Sequence, residues 1–287
     1  MKIWNKAVVG AGLPMLLATA ASAQSFNLVM TAAENPGATN SSLADTTVET
    51  FNSLSVGDHT NYSSTIGQYN LLSVLGANQY GGAADSQNPN GSHYAVTSES
   101  SSLGRIPVTT LTFNSDIAYF GLWWSAGDPQ NVLTFFNGTT QVAQFTTATL
   151  VNLLPSTYKA NPTPGTYHGT DGGEKFAFLN FYGVDGTTFT SVKFSNLGSS
   201  GFENDNNTVR QAAFGADPND TGTTLPGIPV EEVLSTNGVQ SIITNPNNFQ
   251  ANVDVSLSPA PEPGVSALLA LGGLGGAWML RRRAVKA

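Results

Sequence analysis

Between residues 24 and 214 no stretch repeats its apolar residues at the spacing of an amphipathic helix; short runs rich in Thr, Val, Ile and aromatics are instead broken by Asn, Gly, Asp and Pro. A pattern of that kind confines the chain to β structure. The strongest local signal is Asn137-Gly138, which separates the β-rich runs 132–136 and 139–146. Tight two-residue hairpins need positive φ, which Asn and Gly tolerate, so these runs are expected to pair. A second hairpin is expected where 176–182 passes through Gly183-Val184-Asp185-Gly186 into 187–194, with Val192 and Phe194 alternating with polar neighbours. Further strands are expected at 46–54, 66–74, 106–113, 117–124 and 208–214. Many short strands separated by turn residues predict an all-β fold over 24–214, an antiparallel β-sandwich of the jelly-roll or lectin-like kind. Residues 215–260, with Pro218, Pro226, Pro229, Pro246 and Pro259, read as a partly ordered stalk. Within it 230–234 suits one helical turn and 251–257 a last strand.

The two ends have a different character. Lys2 and Lys6 precede an apolar run, and Ala21-Ser22-Ala23 stands before Gln24. That is the layout of a secretory signal peptide, 1–23, cut by signal peptidase after Ala23. At the far end Pro261-Glu262-Pro263 precedes the apolar run 264–280 and then Arg281-Arg282-Arg283. At about 1.5 Å per residue such a run forms a helix of roughly 26 Å, at the short end for crossing a membrane. The arginines favour the cytoplasmic side, which places the rest of the chain across the inner membrane. Residues 261–287 resemble the PEP-CTERM sorting signal. The resemblance implies recognition by an exosortase, a membrane cysteine protease-transpeptidase that cuts near Pro-Glu-Pro. The helix would then anchor only the precursor, and the mature protein would reside at the cell surface or outside the cell. A permanent single-span anchor is the alternative.

Without these ends, five cations remain, Arg105, Lys159, Lys175, Lys193 and Arg210, against 19 carboxylates up to and including Glu262, a net charge of −14. Nothing offers a basic face for phosphates, which argues against a nucleic-acid partner. Cysteine is absent. The domain therefore relies on its own core and has no thiol chemistry.

Three segments stand out: Tyr119-Phe120-Gly121-Leu122-Trp123-Trp124-Ser125-Ala126-Gly127-Asp128, Gly201-Phe202-Glu203-Asn204-Asp205-Asn206 and Gln79-Tyr80-Gly81-Gly82-Ala83. With Glu49-Thr50-Phe51 they resemble a family of exosortase-dependent surface proteins carrying the first of these signatures. That resemblance, over about residues 46–214, implies a secreted β domain and no particular activity. Read from the residues, Trp123 and Trp124 face opposite ways on a strand, so one is a candidate sugar-stacking platform and the other core. Glu203 and Asp205, in a stretch with turn chemistry, are candidate calcium ligands, with Glu49 as a third. His59, His93 and His168 have no zinc-type spacing, and no nucleophile-elbow motif occurs. The expectation is a non-catalytic surface or matrix protein whose partners include exosortase, signal peptidase, transiently the inner membrane, and exopolysaccharide. A calcium-dependent glycan-binding module and a two-carboxylate glycosidase are the rivals.

Overall fold

The computed structural model describes residues 25–212, apart from 78, 80, 86–90, 101–104, 185 and 199, together with 228–236 and 239–243. All of these fall in one compact unit, Gln24–Val253. The expected signal peptide, the sorting tail and the strand at 251–257 lie outside the described residues.

Strands account for most of the unit: β1 (Ser25–Ala32), β2 (Thr47–Glu49), β3 (Gly57–Ser63), β4 (Gly67–Gly76), β5 (His93–Thr97), β6 (Val108–Ile117), β7 (Tyr119–Gly127), β8 (Asn131–Asn137), β9 (Thr140–Thr146), β10 (Lys175–Val184), β11 (Phe189–Asn196), β12 (Phe202–Arg210), β13 (Ile228–Thr236) and β14 (Val239–Ile243). One short helix, α1 (Thr147–Leu153), and a 3₁₀ turn at Ser156–Tyr158 link β9 to β10. The strands form a single antiparallel sheet in the order β14-β13-β1-β10-β7-β12-β5-β4-β6-β11-β8-β9, with β3 beside β4 and β2 beside β12. The sheet folds over, and β9 comes back towards β1 and β13, giving a nearly closed, barrel-like sandwich.

Period-two alternation builds the core. Leu28 and Met30 of β1, Phe120, Leu122 and Trp124 of β7, and Leu179 and Phe181 of β10 point inward. They meet Leu111 and Phe113 of β6, Leu133 and Phe135 of β8, and Val192 and Phe194 of β11. Aromatic rings interlock across the two layers, Phe135 with Phe181 at 5.0 Å and Phe120 with Phe194 at 6.1 Å between centroids.

Two sequence expectations change. The first hairpin forms, β8 with β9, but one residue out of step: Asn137 pairs with Thr140 at the end of the ladder, leaving Gly138 and Thr139 as the loop. Gly138 alone takes positive φ, +57°, and Asn137 instead sends Nδ2 to Thr188 O at 3.0 Å. The second expected hairpin is absent. β10 pairs with β1 and β7, whereas β11 pairs with β6 and β8. Thr187 N–H bonds Val184 O at 3.0 Å, and the chain passes from β10 to β11, which lie apart in the sheet. Gly183 sits tight against this connection: a Cβ there would lie 2.2 Å from Thr187 O. Ala118 takes β6 into β7 and is bonded to both Arg210 and Gly183.

The stalk expectation changes as well. Residues 228–236, including the proposed helical turn at 230–234, form β13, which pairs along β1, and β14 pairs with β13. Among the described residues no helix is long and apolar enough to cross a membrane.

Candidate functional site

The segment expected to be an acidic turn is a strand. Every residue of β12 is buried, and β12 lies between β7 on one edge and β5 and β2 on the other. Alternation sends Phe202 and Val209 into the core, which puts Glu203 and Asp205 on the opposite face. Between the pairs Asp205–Trp123 and Thr208–Gly121, Asn206 and Asn207 stand opposite the single residue Leu122, so β12 carries one extra residue there. Asn206 takes φ +49° there, so the turn chemistry of Asn-Asp-Asn appears as a β-bulge in mid-sheet.

The two carboxylates are unequally satisfied. Asp205 accepts N–H groups from Ala84 at 2.8 Å and Asn206 at 2.7 Å. Burial pushes its carboxyl well above the usual range, opposed by those two donors. Glu203 Oε2 has no hydrogen-bond partner. Burial pushes Glu203 well above the usual range too, and Glu174, Asp171 and Asp128 add repulsion. It pairs across the ladder with Ser125, whose buried hydroxyl is also without a partner, and Gly82 closes over it. A Cβ on Gly82 would sit 2.9 Å from Glu203 Oε2 and 2.6 Å from the Tyr94 ring. Glu49 pairs with Asn207 in the ladder, but its oxygens accept Phe51 N–H at 2.7 Å and the Tyr62 hydroxyl at 2.9 Å. Among the described residues no three His, Cys, Asp or Glu side chains are grouped to hold a metal ion.

Trp123 and Trp124 do face opposite ways, and both are fully buried. Trp124 is core and donates Nε1–H to Asn131 Oδ1 at 2.7 Å. Trp123 lies on the outer face of β7, beside Phe176 and Phe178 of the neighbouring β10 and packed with Ala84. The sugar-platform expectation is therefore overturned: segments crossing the outer face cover the exposed-looking ring. The signature around these tryptophans reads as packing. A Cβ on Gly127 would lie 2.2 Å from the Trp124 ring, and one on Gly121 2.4 Å from Tyr119 Oη. Asp128 Oδ1 accepts Gln130 N–H at 2.6 Å and forms the turn into β8.

The outer face carries a cavity that the sequence did not announce. It has a volume of about 300 Å³ and lies between the segment after β1 and the strand β10, with Glu34, Asn35, Asn40, Ser42, Phe178 and Asn180 in its lining. Buried groups hold its walls. Tyr158 donates to Ala33 O, and Asn206 Nδ2 donates to Thr39 O at 2.8 Å and Asn40 Oδ1 at 2.9 Å. Tyr119 Oη lies 2.8 Å from both Ser41 Oγ and Asn180 Oδ1. Since the amide oxygen only accepts, Tyr119 donates to Asn180 and takes the Ser41 proton. Asn180 offered the one sequence clue, a lone polar residue inside the apolar run Phe176-Ala177-Phe178-Leu179-Asn180-Phe181-Tyr182. A buried amide of that kind is normally there for its partners.

Comparison of the chain with protein-family models, with curated proteins and with solved structures found no match.

Proposed function

We propose that this chain is the precursor of an exported, non-catalytic bacterial surface or matrix protein, a lectin-like β-sandwich delivered by a signal peptide and a PEP-CTERM-type tail. The pairing of Ala21-Ser22-Ala23 before Gln24 with Pro261-Glu262-Pro263, an apolar run and Arg281-Arg282-Arg283 carries this reading. Signal peptidase, an exosortase and transiently the inner membrane are its partners in transit, and exopolysaccharide its neighbour afterwards. A structural role suits a domain whose most unusual side chains, Trp123, Trp124, Glu203 and Asp205, are buried. Intact-mass measurement of protein recovered from the producing cells tests it. Loss of residues 1–23 and of most residues after Pro263 is the expected result. A product that retains Arg281 to Arg283 would replace sorting with a permanent anchor.

A calcium-dependent glycan-binding module is the second reading, and Glu203 favours it: a buried carboxylate oxygen without a donor, close enough to Asp128, Asp171 and Glu174 to feel their charge. An ion binding only the folded state stabilises by about 2.7 kcal/mol at a hundredfold excess over Kd. Binding requires the ionised carboxylate, so a genuine calcium effect on the unfolding midpoint grows with pH and vanishes in Glu203→Gln. An equal response to magnesium assigns it to screening of the acidic surface.

A further inference from the structure

We propose that Asn137-Gly138 is a guarded deamidation site, and that Thr188 and Thr190 are the residues that keep its asparagine intact in the folded protein. The inference needs neither export nor sorting to hold.

The hazard is local chemistry. The Gly138 amide nitrogen can attack Asn137 Cγ, since glycine has no side chain to hinder the approach. The new N–Cγ bond closes a succinimide ring as the Cγ–Nδ2 bond breaks. The proton of Gly138 N–H leaves with Nδ2 as ammonia. Water then opens the ring at either carbonyl, giving aspartate or isoaspartate. Nothing is oxidised or reduced, and water is the only co-reactant.

Both reacting groups are held elsewhere. Asn137 Nδ2 donates to Thr188 O at 3.0 Å and lies 3.3 Å from Thr188 Oγ1. Gly138 N–H donates to Thr190 Oγ1 at 2.9 Å. The Thr190 hydroxyl in turn donates to Phe136 O at 3.3 Å. One hydroxyl thus clasps the main chain on both sides of Asn137, accepting from residue 138 and donating to residue 136. Asn137 is also fixed as the last residue of β8, paired with Thr140. Closing the ring requires Cγ to swing onto the Gly138 nitrogen, which pulls Nδ2 off Thr188 and turns Gly138 N–H away from Thr190. Gly138 is exposed, so exclusion of water is not the guard. Loss of the guard would reach the ladder. Aspartate at 137 would turn an oxygen that only accepts towards the Thr188 carbonyl, and isoaspartate would add a main-chain atom to the β8–β9 hairpin.

Peptide mapping by mass spectrometry on the full-length chain in detergent tests this, with samples aged at mildly alkaline pH either folded or in guanidinium chloride. Asn90-Gly91 and Asn237-Gly238, the other such pairs of the sequence, report the conversion rate of the unfolded chain. In guanidinium all of them should convert alike. In the folded protein Asn137 should convert about a hundredfold more slowly, its three contacts counting for about fivefold each. Thr190→Val keeps the shape of the side chain and removes the hydroxyl, and should raise the folded rate at Asn137 by about fivefold. Thr190→Ser, which keeps the hydroxyl, should leave it unchanged. Gly127→Ala, destabilised through the Trp124 ring, separates local guarding from global unfolding and should leave the rate low. Where Thr190→Val does not fold, Thr188→Val takes its place, with a rise expected from the lost Oγ1 contact. The proposal is overturned if folded Asn137 converts as fast as the unfolded chain, if the valine variants leave the folded rate unchanged, or if Gly127→Ala raises it as much as they do.

Discussion

Glu203 sits 5% exposed with one oxygen lacking a donor, and that makes stability depend on pH with a definite sign. Burial raises its carboxyl well above the usual range, as it does for Asp205. Below the ordinary carboxylate value, about 4.3, both folded and unfolded chains hold the proton. As pH rises past that value the unfolded chain releases it first, so each unit costs about 1.4 kcal/mol per group until the folded carboxyl also ionises. The unfolding midpoint should therefore fall from pH 5 upwards. Glu203→Gln, which keeps the shape of the protonated acid, should flatten the slope, leaving the part due to Asp205. An unchanged slope in the variant would mean that Glu203 ionises in the folded protein without cost. Gly127 gives a second prediction at this scale. Its missing Cβ makes room for the Trp124 ring, so Gly127→Ala should destabilise by about 1–3 kcal/mol through overpacking, read as a lowered denaturant midpoint.

At the scale of elements, Gly138 tests the hairpin as it is built, with positive φ on the glycine and a pair of strand partners at Asn137 and Thr140. Space is open around its Cβ position, so any cost of substitution comes from the backbone alone. Gly138→Val should destabilise by about 1–2 kcal/mol. Gly172, equally open but without positive φ, is the control: Gly172→Ala should leave the midpoint unchanged or raise it by a few tenths of a kcal/mol. A loss at both positions would point to loop packing in place of φ. The same pair of turns shows how far local signals reach. Asn137-Gly138 and Asp185-Gly186 look alike in sequence, yet the strands flanking the first, β8 and β9, pair with each other and those flanking the second, β10 and β11, do not. The difference lies in which neighbours the flanking strands find, β10 with β1 and β7, β11 with β6 and β8. Those partners are distant in sequence, and no window of a few residues contains them. Glu203 and Asp205 were misplaced for a related reason: Gly-Phe-Glu-Asn-Asp-Asn has the residues of a turn, and only its place between β7 and β5 makes it a strand.

For the whole molecule the fold class was legible from strand-like runs and turns, while the sheet's limits were not. Phe26, Leu28, Met30 and Ala32 alternate into the core, yet no strand is expected there from the sequence, directly after the run 1–23 that has the layout of a signal peptide. The strands at 228–236 and 239–243 stand among prolines and asparagines that suggest a stalk. The cavity on the outer face was illegible because its two sides, after β1 and in β10, lie more than a hundred residues apart and meet only through the β1–β10 ladder. The sheet order makes the last prediction. β1 carries β10 on one edge and β13 on the other, with β13 paired from Ser25 to Ala32. A chain stopped after residue 214, where the sequence suggests the domain ends, would leave the outer edge of β1 with unpaired N–H and C=O groups. Open edges of that length recruit other chains. A chain running from residue 24 to 253 should stay monomeric and unfold in one transition, whereas one running from 24 to 214 should melt lower and associate. Sedimentation and thermal unfolding of the two report on this directly. Equal midpoints and two monomers would mean that β13 and β14 contribute nothing to the folded unit, and that the stalk reading of 215–260 was sound.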